Sequence, residues 1–250
     1  MFETSLDGVT ARLTAEVVGS RWLPEWRRPR LELADASARW TVELKPHPQA
    51  FRHEYHPSAV RFGDAAPALC LVRFAGRAQP WAVTAVYAGG AHCCTDVRLH
   101  DLGSRSEVEL HAMNYPARVQ LLDGAPYLVH GDNDFSYAFS SFADSCPPVQ
   151  VFRPEQAGFR DVTTDFPDVL RRDARRWWHY AEVRDREPLG FYACWAADEE
   201  RLGNDDLVWS TLEQLADSGS LRQPYYRDID GDDFIPALRT FLREHGYLEG

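Results

Sequence analysis

The chain has 250 residues, 44% of them hydrophobic and 26% charged, which is ordinary for a folded protein with a sizeable core and excludes a disordered polypeptide. Acidic residues outnumber basic ones 38 to 27, for a net charge of −11, so nucleic acid is a poor default partner. No run approaches the roughly 20 apolar residues of a membrane-spanning helix.

The first two thirds read as β-structure. Thr10 to Val17 alternates apolar and polar, and so does Arg39 to Lys45. Short apolar runs follow at 59–62, 68–74, 81–87, 97–99 and 108–110. Val119–Leu122 and Pro126–Val129 flank Asp123-Gly124, the residue pair that a two-residue type I′ hairpin turn prefers. Phe135–Phe142 and Val149–Phe152 complete the predicted strands.

Near Thr163 the pattern changes to helical spacing. Asp165-Phe166-Pro167 opens a helix carrying Leu170, Ala174, Trp177 and Ala181. A second helix covers about 189–202 and stops at Gly203, and a third starts at Asn204-Asp205-Asp206 and ends at Gly219. A fourth runs from about Asp233 to His245. The expected fold is α+β: an antiparallel β-rich body over residues 1–162 (a meander, propeller-blade-like stack or sandwich), then a helical segment over 163–250.

Chemistry concentrates at Gly89-Gly90-Ala91-His92-Cys93-Cys94, where two adjacent cysteines follow an imidazole after an apolar run. Strand geometry puts His92 and Cys94 on one face and Cys93 on the other. A Zn²⁺ site would then need further ligands such as Cys70, Cys146, His100 or His111. The same vicinal cysteines could form a disulfide, or pack a crowded sheet edge as small buried residues. As a nucleophile, Cys93 or Cys94 would use His92 or His111 as base.

The stretch Tyr87 to Cys94 resembles a family of uncharacterised bacterial proteins with a Gly-Gly-Ala-His-Cys-Cys signature and FG-GAP/VCBS-like β repeats. A second match is Asp134–Phe139 through Phe159–Thr163, and the resemblance covers about residues 58–250. It implies a related β fold and, in many members, export; it supplies no catalytic residues. The Ca²⁺-binding loop of such repeats corresponds here to residues 60–69, which keep only Asp64 of the acidic set.

Two further acidic groups invite a cation. Asp132-Asn133-Asp134, with Asp144, could hold Ca²⁺ or form a turn. Asp228, Asp230, Asp232 and Asp233 alternate as in a calcium loop but lack its Gly and Glu positions, so helix capping is the stronger reading. Arg171, Arg172, Arg175 and Arg176 beside Trp177-Trp178 read as a solvated helix face or, more weakly, as a nucleobase-stacking patch.

Five cysteines without an export leader predict a cytoplasmic chain with free thiols; the alternative is an exported protein from which the leader is missing. No Gly-x-Ser-x-Gly, P-loop, dinucleotide fingerprint or His-Glu-x-x-His is present. The expectation is a non-enzymatic binding or interaction protein for a protein or small-molecule ligand, with Zn²⁺ or Ca²⁺ as the candidate ions. The rival is a thiol-dependent enzyme or redox sensor using Cys93 and Cys94.

Overall fold

The computed structural model describes residues 1–20, 23–50, 54–90, 93–113, 115, 117–183, 188–222 and 231–248. The chain forms two units: Met1–His130 with Val151–Asp161, and Gly131–Gln150 with Val162–Gly250. The α+β expectation holds, with antiparallel sheets first and the helices at the C-terminal end.

The first unit contains three sheets. Strands β1 (Phe2–Leu6), β2 (Val9–Ser20), β3 (Leu23–Ala34) and β4 (Arg39–Glu43) form an antiparallel meander. The second sheet takes β5 (His56–Ser58), β7 (Leu69–Val72), β8 (Trp81–Gly90), β9 (Cys93–Asp101) and β10 (Ser106–Met113), with β10 at its edge. The third orders β14 (Gly158–Asp161), β13 (Val149–Glu155), β12 (Ala125–Gly131), β11 (Arg118–Leu122) and β6 (Arg61–Phe62). The β11–β12 turn is the predicted one: Asp123 and Gly124 both have positive φ, at 49° and 78°.

Period-2 alternation makes the second sheet the middle layer. Leu69, Leu71, Ala82 and Val86 turn toward Ala11, Leu13, Leu31 and Leu33 of the first sheet. Cys70, Val72, Val83, Ala85, Val97 and Leu99 turn the other way, toward Val119 and Leu128 of the third. Both faces are thus buried, which is why β7 and most of β8 read as continuous apolar runs.

The second unit packs α1 (Pro167–Val183), α2 (Leu189–Arg201), α3 (Asp205–Asp217) and α4 (Gly231–Glu244). Helix α2 is buried along almost its whole length and forms the centre. Residues 131–150 belong to this unit as well, so it is assembled from two chain segments rather than from 163–250 alone.

The strand expected at Phe135–Phe142 is replaced by two 3-10 turns, Asn133–Phe135 and Phe142–Asp144, with Tyr137 between them at φ 62°. The physical reason is the helical core. Phe135 packs edge-on against Phe241 and Tyr247, and Phe139 against Phe234 and Phe241, so both rings enter the same side. An alternating strand holding Phe135, Tyr137 and Phe139 could bury the two phenylalanines but could not supply the cap that Asp132 gives to the Asp134 N–H.

The expectation of free thiols is corrected here. Cys146 and Cys194, both fully buried, form a disulfide that ties the 131–150 segment to α2. Cys94 is also disulfide-bonded, and Cys70, buried in the first unit, is free. Backbone approach around Cys146–Cys194 is close: a Cβ on Gly190 would fall 2.7 Å from the Asp144 carbonyl oxygen, which requires glycine at the start of α2.

Candidate functional site

One face of β9 carries Cys94, Asp96, Arg98 and His100 where an apolar row would serve the core. All four are buried, Asp96 and His100 at 0% exposure. On β10, antiparallel register sets His111 opposite Asp96, Glu109 opposite Arg98 and Glu107 opposite His100. Three cross-strand pairs of acid and base therefore line up as a polar seam on the second sheet.

The contacts follow the register. Arg98 Nε donates to Glu109 Oε1 at 3.0 Å, and its Nη1 donates to the Lys45 carbonyl at 2.5 Å. His100 Nδ1 lies 3.2 Å from Glu107 Oε2, and its Nε2 lies 3.1 Å from Thr84 Oγ1. The His100 contact is the main reason the Glu107 carboxyl sits below the usual carboxylate range, with Arg98 and Lys45 adding to the effect. Trp40 of β4 and Tyr55 close over this end, and burial pushes the Tyr55 hydroxyl up to about 12.

Asp96 joins two imidazoles. His111 Nδ1 is 2.9 Å from Asp96 Oδ1, and because a carboxylate only accepts, His111 carries its proton on Nδ1. His47 Nε2 is 3.0 Å from Asp96 Oδ2. The Gln49 backbone N–H donates to His47 Nδ1, which leaves the His47 proton on Nε2, on the side of the carboxylate but out of line with Oδ2. Gln49 Oε1 in turn lies 3.2 Å from Cys94 Sγ. A polar chain thus runs from the Gln49 backbone through His47 and Asp96 to His111, whose side chain is 69% exposed.

The His-Cys-Cys signature falls partly outside the described residues: His92 is not described, and neither is the Cys93 side chain. Strands β8 and β9 pair as far as Gly90↔Cys93, after a register shift at which Gly89 has φ 87°. Disulfide-bonded Cys94 offers no thiolate to a metal or a substrate. Of the further ligands weighed from sequence, His111 reaches the seam end beside Asp96. His100 lies farther along the same face, and Cys70 turns to the opposite face of the sheet.

The other candidates resolve differently. Asp132 caps the 3-10 turn and accepts from Gln150 Nε2 at 3.2 Å and from the Tyr247 hydroxyl at 2.7 Å. Asp134 accepts from His245 Nδ1 at 2.9 Å. Both carboxylates are engaged within the helical unit as a turn and its ties. Asp228 and Asp230 lie outside the described residues. In α1, Arg171 pairs with Asp168 and Arg176 with Asp173, Arg176 stacks on Trp177, and Trp177 is buried. A groove of about 530 Å³ lined by Arg61, Asp64 and Arg118 belongs to the β6–β11 edge of the third sheet and not to the seam.

Sequence reasoning missed His47, Gln49, Asp96, Arg98 and Glu109. The available signal was Asp96-Val97-Arg98-Leu99-His100, a strand whose alternate positions are ionisable. Nothing local pointed to His47, which sits in Lys45-Pro46-His47-Pro48 with no periodicity.

The class of protein defined so far is an α+β chain with stacked antiparallel sheets, a helical unit closed by a disulfide, and a buried ionisable seam. Among known proteins it is similar to the probable thylakoid lumen protein sll0997 of Synechocystis sp., with 30% identity over 193 residues, 68% of this chain and 57% of that one. It is also similar to the uncharacterized protein y4bJ of Sinorhizobium fredii, with 24% identity over 242 residues, 86% of this chain and 38% of that one. The chain therefore spans about half or less of the length of these relatives. No family model matches it, and no solved structure does. No described helix is long and apolar enough to cross a membrane.

Proposed function

We propose that the chain is a non-catalytic binding protein of an exported, oxidising compartment, and that it engages its ligand at the His111 end of the β9–β10 seam. The observation that carries this reading is the seam itself. Asp96, Arg98 and His100 are buried on β9 and pair with the partly exposed His111, Glu109 and Glu107 of the edge strand; buried charge rarely improves stability over apolar packing of the same volume, so a row of it in an otherwise apolar sheet argues for a role other than stability. The exported setting is supported by the disulfides, by the resemblance to a largely exported family, and by the printed name of the Synechocystis relative.

The rival thiol-dependent reading needs a reactive native thiol. Cys70, the free thiol among the described side chains, is buried, and desolvation pushes it up to about 12, far from the range of a working nucleophile. The nucleic-acid reading is opposed by the net charge of −11, and two of its four arginines, Arg171 and Arg176, are held in ion pairs.

The test is alkylation of the native, non-reduced protein followed by peptide mass mapping. Cys70, Cys94, Cys146 and Cys194 are expected not to label before unfolding, and Cys70 is expected to label after it. Labelling of Cys94 in the native protein would overturn the binding reading in favour of thiol chemistry.

A further inference from the structure

We propose that the seam holds one divalent transition-metal ion of the zinc class, bound by Asp96, Glu109 and His111. This rests on reading the seam as the binding site and names the ligand that site takes. One donor atom from each of the three residues lies within 4.8 Å of the other two. The arrangement follows from the strands: Asp96 faces His111 directly in the register, and Glu109 stands two residues from His111 on the same face of β10. An ion with bonds of about 2.0–2.2 Å to nitrogen and oxygen can be shared by atoms so placed.

A second observation points to a cation here. Asp96 Oδ2 is fully buried and makes no aligned hydrogen bond, although His47 Nε2 stands 3.0 Å away. A buried carboxylate oxygen left in that state is costly unless positive charge compensates it. Along the seam, Asp96, Glu107 and Glu109 face Arg98, Lys45 and three imidazoles, and the fixed cation Arg98 is already committed to Glu109 and the Lys45 carbonyl, which leaves Asp96 with imidazole contacts alone.

The donor set selects the ion class. Two carboxylates with one imidazole suit a borderline divalent ion, and three protein ligands leave positions open for water or an incoming group. His47 fits as the positioning residue behind Asp96, fixed in turn by the Gln49 N–H. Entry is available from the sheet edge, since β10 is the outer strand and His111 is mostly exposed.

The experiment is calorimetric titration of the metal-free full chain with Zn²⁺ at neutral pH, beside the His111→Ala and Glu109→Gln variants. One ion per chain is expected, with affinity about 100-fold weaker or lost in each variant; because Glu109→Gln also weakens the Arg98 ion pair, each variant is first shown to be folded by its melting transition. Glu109→Gln keeps the side-chain volume on a partly exposed strand position and carries the test if His111→Ala does not fold. Absence of stoichiometric binding, or unchanged binding in the folded variants, would overturn the proposal. If zinc does not bind and the native cysteines still resist alkylation, the metal assignment alone fails. If Cys94 alkylates in the native protein, the binding reading itself fails.

Discussion

Replacing Cys146 and Cys194 together by alanine is expected to destabilise the helical unit by about 4 kcal/mol, the chain-entropy value for a closed loop of this size. The bridged residues are 48 apart in sequence, and the segment that Cys146 anchors is short, irregular and held mainly by Phe135 and Phe139. An irregular segment loses much conformational entropy on folding and makes few backbone hydrogen bonds of its own, so covalent closure matters more here than between two helices. Urea unfolding of the oxidised parent and the double variant checks this. The double variant is preferred to either single one because it leaves no unpaired buried thiol. A loss below about 1 kcal/mol would mean that the aromatic packing alone holds residues 131–150 in place.

Asp198→Asn is expected to stabilise the protein at neutral pH and to flatten its pH dependence. Asp198 is fully buried in α2, and both its oxygens lack a donor. Burial is the largest cause that raises its carboxyl well above the usual range, and Asp173 adds to it. Burial raises Asp173 too, but it has the donors Asp198 lacks: Arg176 lies 2.6 Å from its Oδ1, and its Oδ2 accepts from the Val149 N–H and the Trp177 indole, so the charge of the pair belongs on Asp173. As a neutral acid, Asp198 donates to Asp173 and the pair is satisfied.

The sign follows from linkage. The folded state keeps a proton on Asp198 that the unfolded chain releases above its ordinary range near pH 4. Its stabilising contribution is therefore complete below that range and is lost as pH rises toward the raised folded value, at about 1.4 kcal/mol per pH unit. Asparagine keeps a donor toward Asp173 without the titration. Glu200, pushed up to about 8 by burial and by Asp205, gives a slope of the same sign, so the informative quantity is the variant-minus-parent difference between pH 4 and 7.5. A difference that does not grow with pH would mean that Asp198 is ionised in the folded protein.

Local periodicity made much of the fold legible. The Asp123-Gly124 hairpin, the apolar strands β7 and β8, and the Pro167 helix start were all written in short segments. Strand β3 was not, because Pro24, Pro29 and a run of arginines argue against a strand. The structure places Arg28 at φ 50° next to Pro29, at a register shift against Thr14 and Glu16, so a bulge absorbs the proline, which is itself buried, and Leu31 and Leu33 point inward. Phe135 to Phe139 misled in the opposite sense, since its aromatic alternation belongs to turns plugged into the helices.

The candidate site was legible only at its ends. Cys94 stood out through its neighbours, and His111 entered as one of several further ligands. The centre is long-range: Asp96 meets His111 across 15 residues of hairpin, and His47 reaches it across 49 positions of a chain that shows no pattern around Pro46 and Pro48. Composition cannot reveal a pairing set by which strands happen to be neighbours.

The central claim is that the seam is a fixed constellation with Asp96 orienting two imidazoles. Long-range nitrogen–proton correlation spectra of the metal-free protein, recorded at about pH 8.5, well above the ordinary imidazole range, test it most directly. His111 is expected as the Nδ1–H tautomer and His47 as the Nε2–H tautomer, as their contacts with Asp96 and Gln49 require. A His111 ring that averages between tautomers like a free imidazole would contradict the account, because no fixed carboxylate would then be holding it.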